Sequence, residues 1–256
     1  MKKQLYPVFL LTLTINVAMA QAKHEDTEFY TPVPPTVTPV SPNFAPPPKD
    51  AVILFNGKNL DNWVTTNDTT KPASWKVSNG IVTVDKTGGN IQTKQSFQDY
   101  QLHIEWQIPK NITGSGQARG NSGLFLASIG KGDDGYELQI LDNYNNPTYV
   151  NGQAGSIYKQ FAPLVNANLP PGKWQSYDVA WFAPRFKDDG SLLSPARVTV
   201  FFNGILVQNN VELKGPTVYV GQPKYQKHNA ANPIKLQAHG DKSEPVSFRN
   251  MWVRPA

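Results

Sequence analysis

Glu137-Leu138-Gln139-Ile140-Leu141-Asp142 carries two carboxyls and an amide at offsets 0, 2 and 5 within a run that otherwise reads as an apolar strand. Strict alternation puts Glu137 and Gln139 on one face and Asp142 on the other. One inserted residue, a β-bulge, returns Asp142 to the face of the first two. Two carboxylates on one surface are what cleavage of a glycosidic bond calls for, one as proton donor and one as base or nucleophile. The plain alternative for the same spacing is an edge strand with solvated polar side chains.

A surface of that kind needs sheets to hold it, and the dominant period of the chain is two. Over residues 101–108, Leu102, Ile104, Trp106 and Ile108 share one face, while Gln101, His103, Glu105 and Gln107 share the other. One face is expected in the core and the other in water. Ile234, Leu236 and Ala238 oppose Lys235, Gln237 and His239 in the same way. Asn79-Gly80 and Asn203-Gly204 separate apolar runs and tolerate the positive φ of tight hairpin turns. No helical period appears outside the first 20 residues, and 22 prolines with 19 glycines punctuate the chain, so helix is expected to be minor. Many short strands with polar outer faces predict an all-β fold, a sandwich of two antiparallel sheets in preference to a closed barrel. The long loops 111–123 and 182–195 are natural carriers of binding residues.

Residues 1–20 have the form of an export signal. Lys2 and Lys3 precede a mostly apolar stretch that ends in Ala18-Met19-Ala20, a small-x-small cleavage pattern. The chain is therefore expected to be exported, periplasmic or secreted, with no stretch long enough to span a membrane. The absence of cysteine excludes disulfides, thiolate chemistry and a lipidated cysteine anchor. Without Lys2 and Lys3 the basic excess falls to three, and the basic residues are scattered, which argues against a nucleic-acid partner. Residues 21–49 are expected to be a disordered linker, because eight prolines and no charge fall within 31–48. Residues 50–256 then form one domain.

The resemblance to a known family rests on blocks in a fixed order. They are Phe55-Asn56-Gly57-Lys58-Asn59-Leu60 with Trp63, Leu102-His103-Ile104-Glu105-Trp106, Gly120-Asn121-Ser122-Gly123-Leu124-Phe125, Tyr136 to Asp142, Gly152-Gln153-Ala154-Gly155-Ser156-Ile157-Tyr158, Pro171-Gly172-Lys173-Trp174 and Phe248-Arg249-Asn250-Met251-Trp252-Val253. Together they resemble the 3-keto-disaccharide hydrolase family over essentially the whole domain. The resemblance implies a concanavalin A-like jelly-roll sandwich, akin in architecture to family 16 glycoside hydrolases and legume lectins. The Glu-x-Gln-x-x-Asp run is also similar in spacing to the Glu-x-Asp-x-x-Glu run of family 16. Here Gln139 replaces an aspartate and Asp142 a glutamate, which argues against direct displacement at the anomeric carbon.

The chemistry implied by the resemblance starts from a sugar oxidised at C3, whose ketone acidifies the C2 proton. A base removes that proton, the enolate expels the glycosidic oxygen from C1, and water adds across the double bond. Such a site needs a base, an acid and a donor or cation at the ketone oxygen. Glu137 is the leading acid or base, with Glu105, Asp142 or His239 as its counterpart. Gln139 and Asn121 are expected to contact sugar hydroxyls, Tyr158 (with Tyr144 or Trp181) to stack on a ring, and Arg119, Arg249 or Lys159 to face developing negative charge. Bland readings stand beside these: Glu105 and Arg249 as ion-pair partners, His239 as a structural donor, Lys159 as a surface lysine. No cofactor is implied, although Asp133-Asp134-Gly135 offers oxygens to a structural calcium ion. The expected partner is a carbohydrate, and the competing functions are an ordinary glycosidase on unoxidised glycans and a non-catalytic carbohydrate-binding module.

Overall fold

The computed structural model describes residues 21–39 and 46–256. The expected export signal lies outside the described residues. Among the described residues, fifteen strands form two main sheets and a short ribbon. The larger sheet runs, edge to edge, β13 (Ile205–Glu212), β12 (Arg197–Phe202), β9 (Trp174–Phe182), β6 (Tyr100–Gln107), β15 (Ser247–Pro255), β4 (Ile81–Thr83) and β3 (Lys76–Ser78), with β1 (Val52–Phe55) also on β15. The smaller sheet runs β2 (Trp63–Thr65), β5 (Ile91–Phe97), β14 (Asn232–Leu236), β7 (Ser122–Ser128) and β8 (Gly135–Ile140). β10 (Arg185–Phe186) and β11 (Leu192–Ser194) form the ribbon. All strand pairs are antiparallel, and the architecture is the expected concanavalin A-like jelly-roll sandwich.

Alternation builds the core. Leu102, Ile104 and Trp106 of β6 face Leu124, Leu126, Leu138 and Ile140 from the smaller sheet within one apolar cluster. Trp106 stacks on Phe202 and leans on Tyr177, so truncating it to alanine would cost about 3–5 kcal/mol. Both predicted hairpins form. Asn79 and Gly80 turn β3 into β4, and Asn203 and Gly204 turn β12 into β13, all four with positive φ.

Two irregularities decide what the outer faces carry. The first lies in β7, where Phe125 pairs Glu137 but Ser128 pairs Gly135, an extra residue on the β7 side. The expected bulge between Gln139 and Asp142 is therefore absent, and Asp142 lies beyond the end of β8. The second lies in β15, where Arg249 pairs Glu105 but Trp252 pairs His103. The extra residue, with Asn250 at φ 47°, brings Trp252 onto the same outer face as Arg249. That face of β6, expected to be wet, is covered: His103 and Glu105 are buried.

The proline-rich leader also departs from expectation where it is described. His24–Thr27 makes a turn of 3₁₀ helix, and the following chain lies against the sandwich. Asn151, fully buried, accepts from the Phe29 N–H and donates to the Thr27 carbonyl. Lys159 donates to the His24 carbonyl, and Thr36 forms a parallel bridge with Asn166. Stripping the arm away would leave these buried groups unpaired, at about 1–3 kcal/mol each. Composition favoured a free tether, whereas partners more than a hundred residues away fix the segment.

Candidate active site

The outer face of the smaller sheet carries the chemistry. Tyr136, Leu138 and Ile140 of β8 point into the core, so Glu137 and Gln139 point outward. Residues 155–158 return along the free edge of β8: Gly155 N–H donates to the Gln139 carbonyl and Tyr158 N–H to the Glu137 carbonyl. That pairing sets Tyr158 beside Glu137. Thr217 binds the same strand, accepting the Glu137 N–H at 3.0 Å, and so brings Tyr219 to the rim. A cavity of about 160 Å³ results, lined by Glu137, Gln139, Tyr158, Gln237, His239 and Asn121, with Asp133, Thr217 and Tyr219 at its edges.

Glu137 is 4% exposed, and among the described residues no group donates a hydrogen bond to its carboxyl. Burial pushes it up to about 8, the Asp133 charge adds to this, and Lys235 offsets part of it. The carboxyl is therefore proton-bearing at neutral pH. It leans over Gly123 of β7, where an added Cβ would lie 2.5 Å from its Oε1. Gln139 donates to the Gln117 side chain at 3.0 Å, which fixes its amide at the cavity wall.

His239 follows the end of β14 and is partly open to the cavity. Its Nδ1 lies 2.7 Å from Asp241 Oδ2, and its Nε2 lies 3.4 Å from the Asn121 amide nitrogen. An ionised carboxylate only accepts, so the Asp241 contact favours a proton on Nδ1 and turns Nε2 toward the cavity and the Asn121 amide. Burial alone would raise Asp241, but hydrogen bonds from His239, Ser243 and Lys86 hold it far below the usual carboxylate range. Asp241 is a site residue that alternation does not single out, although it stands two residues from His239.

Other expected site residues lie elsewhere. Glu105 belongs to the outer face of the larger sheet, where it accepts from Arg249 Nε at 2.6 Å and Asn250 Nδ2 at 2.7 Å. Arg249 also lies over the Trp174 ring, 4.1 Å from its centroid, and lines a separate cavity of about 290 Å³ with Asn250 and Trp252, so neither Glu105 nor Arg249 joins Glu137. Asp142 pairs with Arg119, Oδ2 to Nε at 2.8 Å, and neither lines the Glu137 cavity. Lys159 points away, donating to the His24 and Tyr219 carbonyls. Trp181 is fully buried against Tyr136 and cannot stack on a sugar, and Tyr144 does not line the cavity.

The loop that offers oxygens to a calcium ion in the sequence receives an ammonium instead. Lys235 Nζ donates to the carbonyls of Gly130, Gly132 and Asp134 and lies over the Phe125 ring. Asp133 instead accepts from Asn90. Among the described residues no group of three or more His, Asp or Glu is gathered closely enough to hold a metal ion.

The site is thus a cavity on the outer face of an antiparallel β-sandwich, holding a buried acid and a carboxylate-oriented histidine. The chain belongs to the 3-keto-disaccharide hydrolase family: the family model described as a 3-keto-alpha-glucoside-1,2-lyase-like domain matches residues 50–254. A 3-keto-disaccharide hydrolase of Bacteroides thetaiotaomicron is 27% identical over 236 residues, which cover 79% of this chain and 77% of that protein. A crystal structure from Parabacteroides distasonis, provisionally named a glycosyl hydrolase, is 51% identical with a TM-score of 0.79, covering 91% of this chain and 97% of that one. A second structure from the same organism, also provisionally so named, shares the fold at 19% identity and a TM-score of 0.58, covering 81% and 94%.

Proposed function

We propose that the protein is an exported hydrolase that cleaves the glycosidic bond of 3-keto-disaccharides by elimination followed by hydration. The observation that carries this reading is the meeting, in one cavity, of a buried Glu137 carboxyl that accepts no hydrogen bond among the described residues with a His239 ring oriented by Asp241 through Nδ1. A direct displacement needs an ionised carboxylate aimed at the anomeric carbon. Elimination needs a base for C2 and a neutral donor for the ketone, which is what this cavity offers.

The ketone oxygen lies against Glu137, whose O–H donates to it and strengthens that bond as negative charge develops. His239 Nε2 removes the C2 proton, and Asp241 stabilises the imidazolium that forms. The C1–O bond then breaks, the C1–C2 double bond forms, and the imidazolium returns its proton to the departing oxygen. Water adds its oxygen to C1 and a proton returns to C2, so the net reaction is hydrolysis. Gln139, Gln237 and Asn121 orient hydroxyls around the ring.

The test is cleavage of a 3-keto-disaccharide and of its unoxidised parent in D2O, with an enzyme-free control for exchange. The reading expects turnover of the oxidised sugar alone, with one deuterium at C2 of the released 3-keto-sugar. Cleavage without deuterium, or equal cleavage of the parent, would overturn it in favour of an ordinary glycosidase; binding of both sugars without cleavage would make the protein a binding module. Export is tested by fractionating expressing cells and sequencing the mature N-terminus, expected at Gln21.

A further inference from the structure

Beside the Glu137 cavity lies a second of about 380 Å³, and the two share Asn121, Tyr158, Tyr219 and His239. Its remaining wall includes His24 and Glu28, residues of the N-terminal arm. The arm precedes the family domain, which begins at residue 50.

The arm is built into this wall. The Lys159 ammonium, 3% exposed, sits at the junction, donating to the His24 carbonyl at 2.6 Å and the Tyr219 carbonyl at 3.0 Å. It also lies 3.5 Å from Glu28 Oε1 and 4.6 Å from the Tyr219 ring centroid. Lys159 takes φ 58°, a conformation that a non-glycine residue adopts only when its surroundings hold it there. His24 stacks on Tyr219 with centroids 4.9 Å apart. One buried cation thus locks the arm, the 158–160 turn and the Tyr219 loop into a single wall.

We propose that this arm forms the subsite for the leaving sugar, with Glu28 and His24 as specificity-determining residues. The proposal rests on the reaction given above. His239 stands where the cavities meet, which is where the scissile oxygen must lie if the ketone faces Glu137. The departing ring then occupies the second cavity. Glu28 accepts from Tyr30 and His24 and faces Lys159, and a carboxylate has about four acceptor positions, so capacity remains for a sugar hydroxyl. His24 and Tyr219 add a flat aromatic rim against which the ring packs.

The experiment compares a 3-keto-disaccharide with methyl 3-keto-glucoside, which lacks a leaving sugar, in the wild-type chain and in Glu28→Gln and His24→Ala. The expected result is a selective loss: the ratio of kcat/KM values, disaccharide over methyl glycoside, falls about tenfold through KM in Glu28→Gln, the size of one charge-assisted hydrogen bond. It falls less in His24→Ala. The ratio is internal to each preparation, so reduced folding does not alter it, and an unchanged ratio in both variants would overturn the proposal. If the wild type cleaves neither substrate, the reaction fails and the subsite is judged by calorimetric binding of the disaccharide. Weaker binding by Glu28→Gln upholds the subsite, and equal binding refutes it.

Discussion

Glu105 and Glu137 are both buried glutamates on outer sheet faces, yet their surroundings drive them apart. Glu105 meets Arg249, Asn250 and His103; burial alone would raise it, but these partners hold it below the usual range. Among the described residues Glu137 meets no donor, and burial pushes it up to about 8. The histidines repeat the contrast. His103 and His239 each place Nδ1 2.7 Å from an aspartate, Asp178 and Asp241. His103 is closed in, and although burial works against its charge, Asp178 and Glu105 raise it to about 9. His239 opens into a cavity with Nε2 free of any carboxylate. Burial of an ionisable group does not mark a reactive site by itself; a buried group with its partners missing does.

The sharpest way to break this comparison is to remove each carboxyl. Glu137→Leu is expected to lower kcat/KM by about 10²–10³-fold, the loss typical of one preorganised donor at developing negative charge. Glu137→Gln keeps a donor, so it should fall by only about tenfold, and its rate should lose the decline above about pH 8 that ionisation of Glu137 imposes on the wild type. Complete loss in the Gln variant would assign Glu137 as the base instead. Glu105→Gln should reverse the pattern: about 3 kcal/mol less stable in denaturant unfolding, because Arg249 and His103 lose their counter-charge, with kcat/KM of the folded enzyme within about threefold of wild type.

Next in size is the histidine pair. Asp241→Asn is expected to lower kcat by about 10²-fold or more, since the amide no longer fixes the Nδ1 proton or stabilises the imidazolium. Asp178→Asn should shift the unfolding midpoint and leave kcat nearly unchanged. Equal kinetic losses in the two variants would dissolve the distinction between the two dyads.

These contrasts were only partly legible in the sequence. Strands, hairpins and the outward facing of Glu137, Gln139 and His239 follow from local period and Asn-Gly turns, which need no knowledge of the partner strand. The burial of Glu105 depends on the extra residue near Asn250 of β15, almost 150 positions away, that brings Trp252 onto the outer face with Arg249. The spacing of Glu137 and Asp142 predicts a bulge between them, which occurs instead on the neighbouring strand. The arm's composition described its unbound preference and not the amide of Asn151 that receives it. Asp241 was within reach, since a carboxylate two residues after a strand-end histidine can turn back onto its ring.

Stability against pH gives a smaller, graded test. The folded-state value for Glu137 is raised from 4.5 to about 8, so between those limits the folded chain holds a proton that the unfolded chain releases. The neutral carboxyl's full contribution is present below about pH 4.5, and stability falls by about 1.4 kcal/mol per pH unit until about pH 8. Glu137→Gln removes this slope. The variant should match the wild type near pH 4.5 and become progressively more stable toward pH 8, in urea unfolding at each pH. His103 slopes the same way between 6.5 and about 9, but it does so in both chains and cancels from the difference.

The finest test leaves every ionisable group in place. Gly123 lies beneath the Glu137 carboxyl, and an alanine Cβ there would approach Oε1 to 2.5 Å and the Phe125 ring to 3.1 Å. Because the cavity is walled by Tyr158 and Thr217, the carboxyl has little room to yield without changing its aim. Gly123→Ala should therefore lower kcat by about tenfold, the order expected for misplacing a catalytic group by a fraction of an ångström, while stability changes by about 1 kcal/mol or less. Unchanged kcat would mean that Glu137 needs only to be present, as Glu105 is on the other sheet. A kinetic loss without a folding loss would mean that its direction matters, and that the absence of a side chain at Gly123 is as much a part of the site as the acid above it.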